Sequence, residues 1–376
     1  MLVCLHEEHA VAIAQGYAKA TGRPMAVALH SNVGLMHGAM AIFNAWCDRQ
    51  PMIILGATGP VDAASRRPWI DWVHTSQDQG ALIRNFVKWD DQPGSVAAIS
   101  ESMLRAFQQA ATPPFGPVYV CLDAGLQEQP LADEPELPDP TRFAPAPPAR
   151  PDAASVEKAA RLLAAAERPV ILFGRCRRNE DDWDRRVALA ERLDARMLSD
   201  LKAGSMVPTD HRLHLGAPFN KMTGEARAAL READVILSLG WIDLGGALRQ
   251  AFAGEPVAAK VVHAGQEHHL HNGWGKEHCG LPPVDLHLAG DPDAAVADLL
   301  AALPGGKRAD GAADDKTPPP PQESACQPLN QRHVAGALKQ ATGDQPVTFA
   351  CLARAWPADL WPHRHPLDYL GKDGGG

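Results

Sequence analysis

The sequence predicts an α/β protein built from tandem, doubly wound parallel sheets, and three observations carry that prediction. Short apolar runs alternate with segments of helical period. Two proline-rich stretches cut the alternation into blocks. The 376 residues suffice for two to three domains, each with its own core. The first helix opens at His6-Glu7: Ala10, Ile13, Ala14, Tyr17 and Ala18 recur at helical spacing, and Gly22 supplies the stop. Pro24 then leads into Met25-Ala-Val-Ala-Leu-His30, which reads as a buried strand. In open α/β sheets ligands gather where strand tips and loops form a crevice. Glu7, an acidic residue at the mouth of an otherwise small and apolar helix, is therefore the leading candidate for the chemistry.

Two linkers set the domain plan. Residues 135–152 hold Pro135, Pro138, Pro140, Pro145, Pro147, Pro148 and Pro151, too many for regular structure, and form a semi-rigid strap. Residues 304–325 carry Gly-Gly, Asp-Asp and four consecutive prolines and form a flexible linker. The expected domains are thus 1–134, 153–303 and the beginning of a third at 326–376. Within 153–303 the pattern predicts helices at 154–166, 180–193, 223–232 and 292–303, with strands at 169–174, 234–240 and 260–263. Such alternation implies a parallel sheet covered on both sides. A helix at 331–341 and a strand at 346–350 open the last block.

Composition removes several function classes. The formal charge of −9, from 36 basic against 45 acidic residues, gives no electrostatic footprint for nucleic acid. No stretch approaches the roughly 20 apolar residues of a membrane span. The start, Met-Leu-Val-Cys-Leu-His-Glu-Glu, has neither the basic region nor the apolar core of a signal peptide. Seven cysteines occur without any Cys-x-x-Cys, three of them (Cys4, Cys121, Cys351) in apolar runs, as expected for buried thiols in a cytoplasmic protein.

The segment His6-Glu7, Gly16-Tyr17-Ala18 and Leu29-His30-Ser31-Asn32-Val33-Gly34 resembles the pyrimidine-binding domain of thiamine-diphosphate enzymes, the superfamily of acetolactate synthase large subunits and benzoylformate decarboxylases. Ala41–Trp46, Pro51–Gly56, Lys88-Trp89 and Gly116–Val120 fall in the family's order. The middle block is similar to the family's Rossmann-like central domain, with Lys202-Ala-Gly204 and Asp210-His211 near its usual Lys-Gly and Asp-His pairs. The resemblance implies that Glu7 hydrogen-bonds the aminopyrimidine, favouring the imino tautomer that ionises the thiazolium carbon. It implies that Ser31, Asn32, Gly34 and His37 line the pyrimidine side, with glycine allowing close backbone approach. A carboxyl in an apolar pocket has a raised pKa and shares a proton with the ring.

His30 lies 23 positions after Glu7 (30 − 7), where the decarboxylases carry an active-site histidine. An imidazole there protonates a carbanion or binds a 2-oxo acid carboxylate; the alternative is a strand-end histidine capping a loop. His37 stands where the family usually has Asn, and Gly56-Ala57-Thr58 lacks the synthases' Gln. Ile70-Asp71-Trp72 and Gln77-Asp78-Gln79-Gly80, with Lys88-Trp89, resemble acetolactate synthase relatives and either shape the substrate side of the cleft or serve ordinary packing. The function expected is decarboxylation of a small 2-oxo acid, with or without ligation to a second carbonyl, in a homodimer or homotetramer. The alternatives are a simple decarboxylase using His30 and a non-catalytic assembly module.

Metal and flavin sites find less support. The family binds the cofactor's diphosphate through Mg²⁺ held by a Gly-Asp-Gly motif of its third domain, and no Gly-Asp-Gly occurs in these residues. The chain accordingly resembles an internal fragment or one part of a split enzyme. The synthases carry FAD in the central domain, but Gly174 is followed by Arg-Cys-Arg without G-x-G-x-x-G. His6-Glu-Glu-His9 misses the metalloprotease spacing, since its histidines are three apart rather than four. Glu267-His268-His269-Leu270-His271, with His263, His278, Cys279 and His287 nearby, reads as a polar loop in which no helical His pair fixes a metal geometry.

Overall fold

The computed structural model describes residues 1–371 except 219–220, 270–279, 306–327, 354–355 and 357–360. The chain divides into two units, one built on Met1–Pro148 and joined by Glu267–His269, the other on Ala149–Gln266 and the described residues of Lys276–Lys372. Each contains one parallel sheet. No helix among the described residues is long and apolar enough to cross a membrane.

In the first unit the strands are β1 (Met25–Ala28), β2 (Met52–Thr58), β3 (Trp89–Asp91) and β4 (Pro117–Asp123), ordered β1-β2-β4-β3. The helices are α1 (Glu7–Thr21), α2 (Ser31–Cys47), α3 (Ile70–Val73), α4 (Val96–Ala111) and α5 (Ala124–Glu128). Side chains of a strand alternate between faces, so Ile54 packs with Val11, Leu35 and Ile42 beneath α1 and α2, while its neighbour Ile53 packs with Ala106 and Ala110 of α4. Gly22, at φ 68°, takes the left-handed conformation that ends α1, as its position after the last apolar residue predicted.

Several residues that resembled a substrate-side cleft are used for packing here. Lys88 donates to the carbonyls of Gln109 (2.7 Å) and Thr112 (2.6 Å), capping the C-terminal end of α4, and burial lowers its pKa to about 8. Gln79, fully buried, bridges the Ala57 carbonyl (2.9 Å) and the Tyr119 hydroxyl (2.8 Å). A Cβ at Gly56 would overlap the Tyr119 ring, so glycine is required there to seat the buried tyrosine. Asp78 pairs with Arg84 and Asp71 with Arg67.

The second unit runs α6 (Ala153–Ala165), β5 (Pro169–Phe173), α7 (Glu180–Leu193), β6 (Arg196–Ser199), β7 (His214–Gly216), α8 (Gly224–Glu232), β8 (Val235–Leu239), α9 (Leu244–Phe252), β9 (Lys260–Gly265), β10 (Leu286–Ala289), α10 (Pro292–Ala302) and α11 (Gln331–Thr342). Its sheet order, β10-β9-β8-β5-β6-β7, is that of a doubly wound fold whose two halves diverge between β5 and β8. Ile171 and Phe173 of β5 face a core containing Leu163, Leu189 and Leu299, and Val170 and Leu172 face one containing Leu230, Leu248 and Phe252. A Cβ at Gly174 would overlap the Gly240 carbonyl, so the two diverging strand tips approach backbone to backbone.

Two expectations need correction. The strand expected at 346–350 is reduced to one bridge, Phe349 to Tyr369, because no ladder among the described residues is available to the rest of it. Cys351 is exposed and Cys4 only half-buried, leaving Cys121 as the buried thiol of the three, because the first two sit outside the sheets that would cover them. Residues 361–371, within the expected third block, pack on the loop after β6: Ser205 donates its amide to the Tyr369 carbonyl (2.9 Å) and Thr209 to that of His363 (3.0 Å). Of the histidine-rich stretch, Leu270 to Cys279 lies outside the described residues, as do the terminal glycines.

The buried His363 makes this packing acid-sensitive. Burial lowers its pKa to about 4, partly opposed by Asp368. The unfolded imidazole titrates near 6.5, so the folded form is fully stable above that pH and loses stability as the pH falls from about 6.5 to about 4, by roughly 3 kcal/mol in all. Urea unfolding from pH 7.5 to 4.5 should show this slope in the wild type and a flatter one in His363→Phe. Equal slopes would assign the acid sensitivity to other groups.

Candidate active site

Glu7 is the first residue of α1, and His6 is its N-cap, accepting the Glu8 amide on Nδ1 at 3.1 Å. α2 crosses beneath this end of α1 by presenting glycines: a Cβ on Gly34 would come 3.1 Å from Glu7 Cγ and 3.3 Å from Oε1, and one on Gly38 would come 3.8 Å from Glu7 Cβ. Glycine at 34 thus leaves space beside the Glu7 side chain. His37, one turn further along α2, places Nδ1 3.4 Å from Glu7 Oε2. Its ring stacks on that of His6, with centroids 5.4 Å apart and planes 12° off parallel.

The electrostatics differ from the expectation of a raised carboxyl. Glu7 titrates below its ordinary value, chiefly because its carboxylate accepts its own backbone N–H at the helix start, with His37 contributing. The side chain is 28% exposed, too wet for desolvation to dominate.

The other predicted residues form a second group at the tip of β1. His30 is the N-cap position of α2 but makes no side-chain cap, and its exposed ring meets the edge of His74 at 4.9 Å. Ser31, buried and at φ 53°, donates its hydroxyl proton to the His74 carbonyl (2.6 Å), with Asn32 Oδ1 3.1 Å from the same oxygen. A serine in the left-handed region is strained, and such strain concentrates at functional sites. The structure therefore groups Glu7 with Gly34 and His37, and His30 with Ser31 and Asn32. His74, held by Ile70 through Nδ1 at 2.8 Å, is a member of the second group that sequence reasoning missed. Nothing in the local pattern marked it, because the contact spans 43 positions. Thr58, at the carboxyl end of β2, keeps a buried hydroxyl without a hydrogen-bond partner among the described residues.

The residues present fit one half of a thiamine cofactor. An aminopyrimidine requires an accessible carboxylate and clearance beside it; Glu7 supplies the first and the missing side chain of Gly34 the second. A diphosphate held by Mg²⁺ requires several oxygen ligands. Among the described residues the one grouping of potential metal ligands is His6, Glu7 and His37, which is nitrogen-rich and does not meet that need.

A parallel-sheet unit followed by a doubly wound unit is consistent with the N-terminal and central domains of thiamine pyrophosphate enzymes. The chain belongs to the thiamine pyrophosphate enzyme family: residues 1–83 match its N-terminal TPP binding domain and residues 156–299 its central domain. A benzoylformate decarboxylase of Pseudomonas aeruginosa is 31% identical over 118 residues, 31% of this chain and 22% of that protein. A probable acetolactate synthase large subunit of Methanocaldococcus jannaschii is 28% identical over 308 residues, 79% of this chain and 49% of that protein. The crystal structure of benzoylformate decarboxylase from Polynucleobacter necessarius superposes with a TM-score of 0.78 at 20% identity, over 99% of this chain and 67% of the other, a likeness of fold. The chain spans about half the length of the curated relatives that it matches over most of its own length.

Proposed function

We propose that this chain is the cofactor-activating and central part of an acetolactate-synthase-like enzyme that decarboxylates a 2-oxo acid and joins the resulting fragment to a second carbonyl. One observation carries the reading: in the domain matched by the N-terminal TPP binding model, an accessible carboxylate opens α1 against a glycine face of α2. When bound, thiamine diphosphate with Mg²⁺ supplies the electron sink for decarboxylation. Glu7 holds a proton between its carboxylate and the far ring nitrogen of the pyrimidine. Gly34 keeps the flank of Glu7 clear, His37 orients its second oxygen, and Ser31 and Asn32 shape the tip of β1.

The carboxylate is set low by its helix start and partial exposure, so excluding water from it raises its pKa toward the proton-sharing range. Val33, Met36 and Met40 form an exposed apolar ridge on α2 on either side of His37. A second copy of the protein, in a homodimer or homotetramer, is the expected cover. Such a surface on an isolated chain marks an interaction site.

A second reading rests on the edge contact of His30 with His74 at the strand tip. That pair suits a simple decarboxylase of the benzoylformate type, in which His30 returns a proton to the decarboxylated carbon. The two readings separate in the holoenzyme assayed with pyruvate and with benzoylformate. In a simple decarboxylase, His30→Ala slows aldehyde release by roughly 10²-fold, the scale of a general acid. In a carboligase the coupled product persists at a near-normal rate, since that product forms without protonation. Loss of both products in equal measure would contradict the separation.

A further inference from the structure

We propose that His6, Glu7 and His37 form a binding site for a divalent ion of the zinc class, and that the occupied site is shut to the cofactor; the second clause rests on the reading of Glu7 given above. One ligand atom from each of the three lies within 4.8 Å of the other two. The 3.4 Å between Glu7 Oε2 and His37 Nδ1 matches the edge of a tetrahedron with metal–ligand bonds of about 2.1 Å. Two imidazoles and one carboxylate, with a position left for water, are the donor set of open zinc sites.

The backbone positions of all three are fixed before any ion arrives. His6 and Glu7 belong to the start of α1 and His37 to the second turn of α2, and the absence of a Cβ at Gly34 and Gly38 leaves room for the Glu7 side chain between the two helices. What must adjust is the ring of His6, and it is exposed. Turning it toward an ion releases the Glu8 amide, which is itself at an exposed helix start where water replaces the lost bond. His9, whose ring lies 5.6 Å from that of His6, adds a further imidazole beside the site.

The chemistry selects the ion. Imidazole suits Zn²⁺, Ni²⁺ and Cu²⁺, whereas Mg²⁺ keeps oxygen ligands and water. An ion bound here takes the carboxylate oxygens that a pyrimidine nitrogen requires, so Zn²⁺ acts as an inhibitor competing with the cofactor, and millimolar Mg²⁺ does not relieve it. The spacing that ruled out a metalloprotease motif compared His6 with His9, whereas the third ligand here comes from another helix.

Calorimetric titration of the untagged, chelator-washed chain with ZnCl₂ tests the site without the cofactor. One class of binding is expected to weaken by about 10-fold or more in His6→Ala and again in His37→Ala, a scale reached even when an outer partner of a metal ligand is lost. It is expected to survive His268→Ala/His269→Ala/His271→Ala, which removes the separate histidine-rich stretch. Zn²⁺ binding that is unchanged in the His6→Ala/His37→Ala double variant, or absent from the wild type, overturns the site. A companion titration of the cofactor-free complete enzyme with thiamine diphosphate and Mg²⁺ addresses the shutting: Zn²⁺ is expected to raise the apparent Kd for thiamine diphosphate in wild type and much less in His37→Ala. An unmoved Kd in wild type overturns the shutting while leaving the site. Full activity of Glu7→Gln, with Zn²⁺ binding intact in wild type, would count against the cofactor reading alone.

Discussion

Glu7→Gln slows turnover of the holoenzyme by roughly 10²-fold or more, the scale of general acid–base contributions. The amide keeps the size and helix-start position of the side chain but has no ionisable proton to share with the pyrimidine ring. Glu7 Cβ and Cγ occupy the space that a Cβ at Gly38 or Gly34 would crowd, and glutamine places the same atoms there. Folding is therefore expected to be preserved, with thermal unfolding within a few degrees of wild type, so the loss appears in kcat. Near-normal kcat with thiamine diphosphate and Mg²⁺ saturating would remove Glu7 from the chemistry.

The largest expected loss of stability comes from a pair remote from that site. Arg186 of α7 and Asp293 of α10 are essentially fully buried and meet at 2.5 Å. Asp293 also accepts the Arg177 amide at 2.6 Å, and Arg186 donates to the Met206 carbonyl at 2.8 Å. Burial pushes the Asp293 carboxyl up, with Arg186 and the Arg177 amide opposing it. Asp293→Ala leaves a buried guanidinium without its ion-pair partner, and breaking such a pair from one side costs about 3–5 kcal/mol. Replacing both partners with apolar residues, as in Arg186→Met/Asp293→Leu, costs far less because no charge is stranded. Urea unfolding of the single and double variants measures the difference; equal losses would mean that lost packing, rather than a stranded charge, sets the cost.

The strands and helices legible in the sequence were those with an unbroken apolar run or an apolar stripe of helical period. β5 and β8 are wholly buried, and their apolar runs are unbroken. α7 was bounded correctly at both ends because Asn179 caps its start and its apolar period stops at Leu193. The strands β3, β6, β7 and β10 are as short as β1, but where β1 is an unbroken Met-Ala-Val-Ala run they are interrupted by Asp, Arg, Ser, His or Gly. α2 escaped notice for a different reason. Its Ser31-Asn32 start and its glycines are poor helix formers, and they are tolerated because Gly34 and Gly38 let α1 come close.

The site was legible to the same extent. Glu7 and Gly34 are local signals, one at a helix mouth and one just past a strand. His37 meets Glu7 across 30 positions and His74 meets Ser31 across 43, contacts that only the tertiary fold creates. The lowered Glu7 carboxyl was likewise out of reach, since it depends on how much water the fold leaves around that side chain.

Proton sharing between Glu7 and the cofactor is tested most directly by the exchange of the thiazolium C2 proton for deuterium, followed by NMR in the holoenzyme quenched at successive times. If Glu7 drives the pyrimidine toward its imino form, exchange in wild type far outpaces that of free thiamine diphosphate, and in Glu7→Gln it falls back toward the free rate. Exchange as fast in Glu7→Gln as in wild type would contradict the assignment of Glu7 as the group that activates the cofactor.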